Sequence, residues 1–238
     1  MLGKLYGIGV GPGAPELLTM KAVRLLTEIE YLSFPVAKAD GDSLAHEIVK
    51  KAMDKEWNLV KLHMPMSLDY DLLEPKWQKA AEEIAEILKT GKDVAFITLG
   101  DTAFFSTFIY LVRKIKNILP ELEMEMVPGI TAPSAIAAEA VLPLVLRDER
   151  LLIVPAIRDM EDVKKAINES ENVVLFKIGN VFKDLYAFLK ESGLEKNAIV
   201  ASRLGFKDGF ITKDLESLLD KEKLDYLTTM IIKKNGLE

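Results

Sequence analysis

The feature that most constrains the fold is an alternation that runs the length of the chain. Apolar, β-branched runs fall at residues 5–10, 31–34, 58–62, 94–99, 123–127, 151–154, 173–178, 198–202 and 226–232. Between them, residues 16–29, 44–53, 73–88, 104–118, 132–140, 162–168, 181–189 and 215–219 repeat their apolar positions at helical spacing. Strands alternating with helices imply mainly parallel sheets covered by helices, an α/β class. So many strands in 238 residues suit two smaller sheets better than one wide one. The expected boundary lies near Leu119-Pro120, where proline ends a long helix, giving domains 1–119 and 120–238.

Residue usage excludes several chemistries. Cysteine is absent, so disulfides, thiolate metal sites and cysteine nucleophiles are ruled out. His46 and His63 are the only histidines, and no metal site is expected. Gly41-Asp42-Ser43-Leu44-Ala45 misses the G-x-S-x-G elbow of serine hydrolases. Apolar runs such as 141–146 are far too short to cross a bilayer, and the amino terminus has no secretory pattern. A cytoplasmic address without a membrane partner is therefore expected. A net charge of −6 argues against a nucleic-acid partner, while leaving room for a locally basic pocket. Of 31 basic residues only six are arginine, and Arg147, Arg150 and Arg158 fall close together.

Three strand exits carry glycine or proline. The first, "GIGVGPGAPELLT" from Gly7, formally satisfies the dinucleotide fingerprint through Gly9, Gly11 and Ala14. However, Pro12 removes an N–H from the phosphate cradle, and Pro35-Val36-Ala37 replaces the expected ribose-binding acid. No P-loop exists. Pro15 suits a first helical position and Glu16 complements the helix dipole, making Ala14 a weak N-cap. The second exit, "FITLGDTAFFST", places Gly100-Asp101 before an aromatic-rich helix. There Asp101 reads either as an N-cap or as a carboxylate facing a bound polar group beside Phe104 and Phe105. The third, "VPGITAPSAIAAEA", leads into an alanine-lined helix marked by Thr131 and Pro133. Taken together, these turns indicate a ligand site in an α/β protein.

In this order and spacing the three turns resemble the tetrapyrrole methylase family, whose members transfer a methyl group from S-adenosylmethionine. "VGPGAPELLTMKAVRLL", "LGDTAFFSTFIYL" and "VPGITAPSAIAAEAVLPLV" resemble its three signatures. "YLSFPVAKADGDSLAHEI", "PMSLDYDLLEPKWQKAAEEIAEIL" and "LPLVLRDERLLIVPA" are similar to the branch that methylates C20 of a precorrin-2-type ring. The likeness runs from Gly3 to Val154 and continues more weakly through "VVLFKIGNVF" and "AIVASRLG".

The resemblance implies two α/β domains with the cofactor in the cleft between them, the domain at 1–119 also forming a substrate trough. It further implies a homodimer and a small-molecule tetrapyrrole substrate. Carried over by position, Gly100, Asp101, Thr102, Phe104, Phe105, Thr131, Ala132, Lys177, Ile178, Ala201 and Thr228 would meet the cofactor. Pro12 would lie at the trough floor, and Arg147, Arg150 and Arg203, with Lys177, would anchor acceptor carboxylates. The chain departs from the family pattern at Ala14, Thr102, Phe105 and Ala132, where Asp, Pro, Tyr and often Ser are usual. Methyl transfer needs alignment more than covalent machinery, and no residue is assigned as a base. The alternatives are another methyltransferase on this fold (a different ring carbon, diphthine synthesis or a ribosomal RNA ribose) and a cofactor-binding regulator without catalysis.

Overall fold

The computed structural model describes residues 1–38, 41–65, 69–155, 157 and 159–237. Residues 39–40 and 66–68, parts of two motifs quoted above, and Arg158 of the arginine cluster lie outside the described residues. The chain forms two compact units, Met1–Thr131 and Ala132–Glu238.

The first unit comprises β1 (Leu5–Gly9), α1 (Met20–Glu28), β2 (Tyr31–Val36), α2 (Leu44–Ala52), β3 (Asn58–His63), α3 (Tyr70–Lys89), β4 (Val94–Thr98), α4 (Phe108–Ile118) and β5 (Met124–Val127). Its strands run parallel in the order β3-β2-β4-β1-β5. Both faces of this sheet are covered, which explains why β4 is buried at every position. Val94 and Phe96 join the core under α3 and α4. The strand's two-residue period sends the equally buried Ala95 and Ile97 to the opposite face. Pro35 sits where β2 has only β3 beside it, because pairing with β4 stops at Ser33.

Right-handed crossovers fix what this strand order means for a ligand. From β1 the chain moves toward β2, and from β4 it crosses in the opposite sense to β5. The connections leaving adjacent strands β4 and β1 therefore depart to opposite faces. Such a switch point is where open α/β sheets bind ligands, at the carboxyl ends of the strands. Pro120 follows the end of α4, yet β5 beyond it pairs with β1 and keeps the chain in the first unit.

The second unit contains α5 (Ala132–Glu139), β6 (Leu151–Val154), α6 (Met160–Glu169), β7 (Asn172–Phe176), α7 (Phe182–Glu191), β8 (Ala198–Ser202), β9 (Phe210–Thr212) and β10 (Thr228–Lys233). Its sheet runs β6-β7-β10-β8-β9. Val173, Leu175, Val200 and Ile232 pack under α6 and α7. Val174, Ile199 and Ile231 pack on the other face with Ile136 and Ala137 of α5.

Three expectations change. The second sheet is not mainly parallel: only β6 and β7 pair in that sense, because β10 inserts antiparallel between β7 and β8, and β8 returns directly into β9. The helix expected over 16–29 is broken. Pro15–Leu17 forms a 3-10 turn, Leu18 is extended, and the Thr19 hydroxyl accepts the Ala22 N–H to start α1. Likewise α4 starts at Phe108 rather than Phe104, because Phe105 adopts a left-handed conformation with φ 56° that no helix accommodates.

Candidate active site

At the carboxyl edge of the first sheet the turns after β4, β1 and β5 are joined by their main chains. Gly11 and Gly100 exchange two backbone hydrogen bonds, of 3.1 and 2.8 Å. A Cβ on Gly129 would come within 2.1 Å of the Gly100 carbonyl oxygen and 2.9 Å of the Gly9 Cα. Gly9 and Gly129, from the first and third turns, are thus required by packing rather than by a phosphate. By contrast, a Cβ on Gly100 would meet nothing within 4 Å, although its φ of 72° favours glycine. The chain beside Gly100 is therefore open to close approach by a ligand. Pro12 is buried in the first turn, one residue beyond this junction.

The polar side chains of "GDT" tie the second turn to the third. Asp101 accepts the Ala103 N–H through Oδ1 and the Gly129 N–H through Oδ2, both at 2.8 Å. The buried Thr102 hydroxyl donates to the Val127 carbonyl at 3.2 Å. Asp101 is accordingly no cap for α4, whose N-cap residue is Thr107. Ser106 instead supplies the local bonds, donating to the Thr98 hydroxyl and accepting the Phe108 N–H, each at 3.1 Å. Phe104 and Phe105 lie with ring centroids 4.6 Å apart, and Phe105 is 55% exposed at the rim of this turn. Thr131 closes the third turn half-buried, and Ala132 opens α5.

His46 stacks on Phe34 with ring centroids 4.8 Å apart and nearly parallel planes. Partial burial, with Lys50 and Lys61 nearby, pushes its pKa below the usual histidine value, so the ring is neutral at pH 7. His63 lies at the end of β3, its Nδ1 3.4 Å from the Lys76 ammonium.

In the second unit the structure brings Lys177 and Arg203 to one cavity of about 530 Å³, outside the carboxyl ends of β7 and β8. Both residues have left-handed backbones, φ 59° and 48°. Lys177 Nζ lies 5.1 Å from the Tyr226 ring centre, and Arg203 Nε is 2.7 Å from Asp208. Ile178, Ala201 and Thr228 are fully buried and do not line this cavity, although their neighbours Lys177, Gly179 and Ser202 do. The Thr228 and Ser202 hydroxyls lie 2.9 Å apart, and Thr228 Oγ1 is 2.6 Å from the Asp225 carbonyl. Sequence reasoning missed Lys221, Lys223 and Phe210, which also line the cavity. They occupy a charged segment with no motif, and only the fold carries them to the strand ends.

Arg150 lies elsewhere. It precedes β6, and its N–H donates to Glu171 Oε2 at 2.9 Å, at the amino end of β7. The five residues of β7 separate it from Lys177, roughly 16 Å at 3.3 Å per residue. Arg147 is exposed in the same loop with φ 51°. That loop is held by Glu149, which accepts from Asn172 at 3.0 Å, Asn235 at 3.1 Å and the Leu146 N–H at 2.9 Å. These bonds, from Asn172 first, with the Lys233 ammonium adding to them, hold its carboxyl at about 2.

With this geometry in view, the chain matches the family described as Tetrapyrrole (Corrin/Porphyrin) Methylases over residues 4–219, and it belongs to that family. It is 34% identical to the cobalt-precorrin-2 C(20)-methyltransferase of Salmonella typhimurium over 98% of both chains. It is also 34% identical to a probable cobalt-precorrin-2 C(20)-methyltransferase of Methanocaldococcus jannaschii, over 98% of this chain and 97% of that one. Among solved structures, a cobalt precorrin-4 methyltransferase superposes with a TM-score of 0.72 at 20% identity, covering 97% of this chain and 94% of the other. That last likeness is one of fold. Among the described residues no helix is long and apolar enough to cross a membrane.

Proposed function

We propose that this protein is an S-adenosylmethionine-dependent methyltransferase that adds a methyl group to C20 of a precorrin-2-type tetrapyrrole in cobalamin biosynthesis. The cobalt complex is the preferred acceptor in this reading. The observation that carries the proposal is the glycine junction at the switch point, with its open face at Gly100. Support for the acceptor comes from the names of two relatives that match nearly end to end. The reading includes a cytoplasmic, homodimeric enzyme, and sedimentation of the purified protein tests its assembly.

The residues at the junction fit such a donor. They offer main-chain groups, small side chains and the Phe104–Phe105 rings, as a zwitterion with an aromatic base requires. Gly100, Thr102 and Thr131 would hold it at the strand ends, with Asp101 fixing the spacing of the second and third turns. When bound, S-adenosylmethionine supplies an electrophilic methyl group for in-line displacement. The task left to the protein is alignment, which in favourable cases contributes roughly 7–11 kcal/mol. Phe104 and Phe105, beside the open side of the second turn, would shield a bound donor from water there.

Incubation of the enzyme with labelled donor and with cobalt-bound or metal-free precorrin-2 tests the assignment, read by mass spectrometry and carbon-13 resonance. One methyl at C20, with faster turnover of the cobalt complex, is expected. A methyl at another ring carbon overturns the position. No turnover on either acceptor, with donor still bound, favours a regulator that has lost catalysis.

A further inference from the structure

We propose that Tyr70 and Leu72, in the first turn of α3, form an apolar shelf that meets the flat face of the tetrapyrrole acceptor and selects which ring carbon faces the methyl donor. This rests on the reading of the chain as a tetrapyrrole methyltransferase. Placement is the first argument. Every strand of the first sheet is parallel, so the helices that follow β3 and β4 both begin at its carboxyl edge, where the glycine junction lies. β3 lies two strands from β4, roughly 10 Å across the sheet. The start of α3 therefore stands to one side of the junction. Contact there meets a macrocycle away from the carbon that reacts, where it sets orientation.

Exposure is the second argument. The core stripe of α3 includes Leu73, Trp77, Ile84 and Leu88, all buried. Tyr70 begins that stripe yet is 62% exposed, and Leu72 lies off it at 51%. Large apolar side chains left open together mark a contact surface. The third argument is rigidity. Asp69 Oδ1 accepts the Asp71 and Leu72 N–H groups at 3.0 and 3.3 Å, fixing the turn that carries both side chains. The Tyr70 ring stands edge-on to Trp77, with centroids 5.8 Å apart, and Trp77 stacks on Tyr110 at 4.2 Å. Burial, and next a hydrogen bond with Tyr70, raise the Tyr110 phenol above its usual pKa, so it stays uncharged at pH 7. Tyr110 is two residues beyond Phe108, whose N–H is held by Ser106, the neighbour of Phe105. The ring stack thus ties the shelf to the second turn of the site. A tyrosine locked by its neighbours loses little freedom when a ligand arrives. A conjugated ring offers its face to such a phenol, whereas the charged ends of the methyl donor gain nothing from Tyr70, Leu72 or Trp77.

The test uses the full-length protein. Turnover is measured with cobalt-precorrin-2 and labelled S-adenosylmethionine, and calorimetry gives the affinity for S-adenosylhomocysteine. Uroporphyrin, a flat macrocycle, is titrated by fluorescence quenching. Y70A/L72A is expected to raise KM for the acceptor and to weaken uroporphyrin binding, each at least ~10-fold, while S-adenosylhomocysteine affinity stays within about twofold. Labelled methyl should then appear at ring carbons besides C20, which a mere loss of folded protein does not produce. Y70F keeps the ring and should stay within about threefold of wild type throughout. Leu59→Ala, at an exposed apolar position on β3, should change nothing. Unchanged acceptor KM in Y70A/L72A, an equal loss of S-adenosylhomocysteine affinity, or methylation that stays wholly at C20 overturns the proposal. So does altered sedimentation of that variant, which would give the shelf to a second copy of the chain. A wild type that neither binds S-adenosylhomocysteine nor methylates cobalt-precorrin-2 instead sinks the methyltransferase reading. Uroporphyrin then decides the shelf by itself, sustained by weaker binding in Y70A/L72A and overturned by equal binding.

Discussion

Asp101 Oδ2 accepts the backbone N–H of Gly129 at 2.8 Å, fastening the turn after β4 to the turn after β5 across the end of β1. Its other oxygen is engaged by Ala103. Asp101→Ala leaves two N–H donors without their acceptor, and a cost of about 1–3 kcal/mol in stability is expected. Asp101→Asn should fare little better, because its amide group offers an N–H to one of those donors. With the turns loosened, S-adenosylhomocysteine should bind about tenfold more weakly, or worse still. Equilibrium denaturation and calorimetry check both effects. Loss of affinity at full stability would show a direct contact instead of a positioning role.

The first turn shows how much of such detail a sequence discloses. Pro15 and Glu16 mark a helical start, and the chain does turn there with Ala14 at the N-cap and no side-chain bond. What the residue types do not disclose is that the turn lasts only from Pro15 to Leu17, and that Thr19 restarts the helix. A Thr two residues after a Leu is compatible with helix interior and with cap, and the extended Leu18 decides between them. Ala14→Asp should therefore stabilise by only about 0.5 kcal/mol, since it caps a single turn. Thr19→Ala should cost about 1 kcal/mol, since α1 loses its one side-chain cap. Urea denaturation of both variants compares the two caps directly.

The same limit applies to the site at large. The strand exits around Gly9, Gly100 and Gly129 are legible because turn chemistry is local and leaves glycine and proline behind. The pairing of β10 between β7 and β8 is not, because antiparallel insertion depends on contacts across the sequence that no window contains. That insertion is what gathers Lys177, Arg203 and Tyr226 around one cavity and puts Arg150 at the far end of β7.

Phe105 combines a left-handed backbone with a ring 55% exposed. Both properties oppose stability. For an L-residue the left-handed conformation costs roughly 1–2 kcal/mol, and glycine escapes most of it. Phe105→Gly is expected to stabilise the protein by about 1 kcal/mol while lowering methyl-transfer turnover. Thermal melts and initial rates on one preparation of the variant measure both. A stabilised variant of full activity would remove Phe105 from the site, and a destabilised one would show that its contact with Phe104 outweighs the strain.

Glu149 and Lys233 give the last prediction, which concerns pH. Lys233 is 1% exposed, and its ammonium lies 2.8 Å from Asn172 Oδ1 and 3.6 Å from Glu149 Oε2. Glu149 in turn is held ionised by Asn172, Asn235 and the Leu146 N–H, its pKa lowered from 4.5 to about 2. A carboxyl whose pKa is depressed by folding contributes stability that is fully present above its unfolded value. That contribution is lost as pH falls toward the folded value. The window is therefore about pH 4.5 down to 2, and above it this group adds no slope. Glu149→Gln cannot titrate, and its amide group turns an N–H toward one of the two donors, Asn172 or Asn235. The variant should be less stable than wild type at pH 7, with the difference narrowing steadily below pH 4.5 as the wild type gives up its charge. Denaturant unfolding of both proteins at successive pH values measures that difference. A gap that stays constant down to pH 2.5 would mean that Glu149 takes up its proton equally in the folded and unfolded states, so that folding does not lower its pKa.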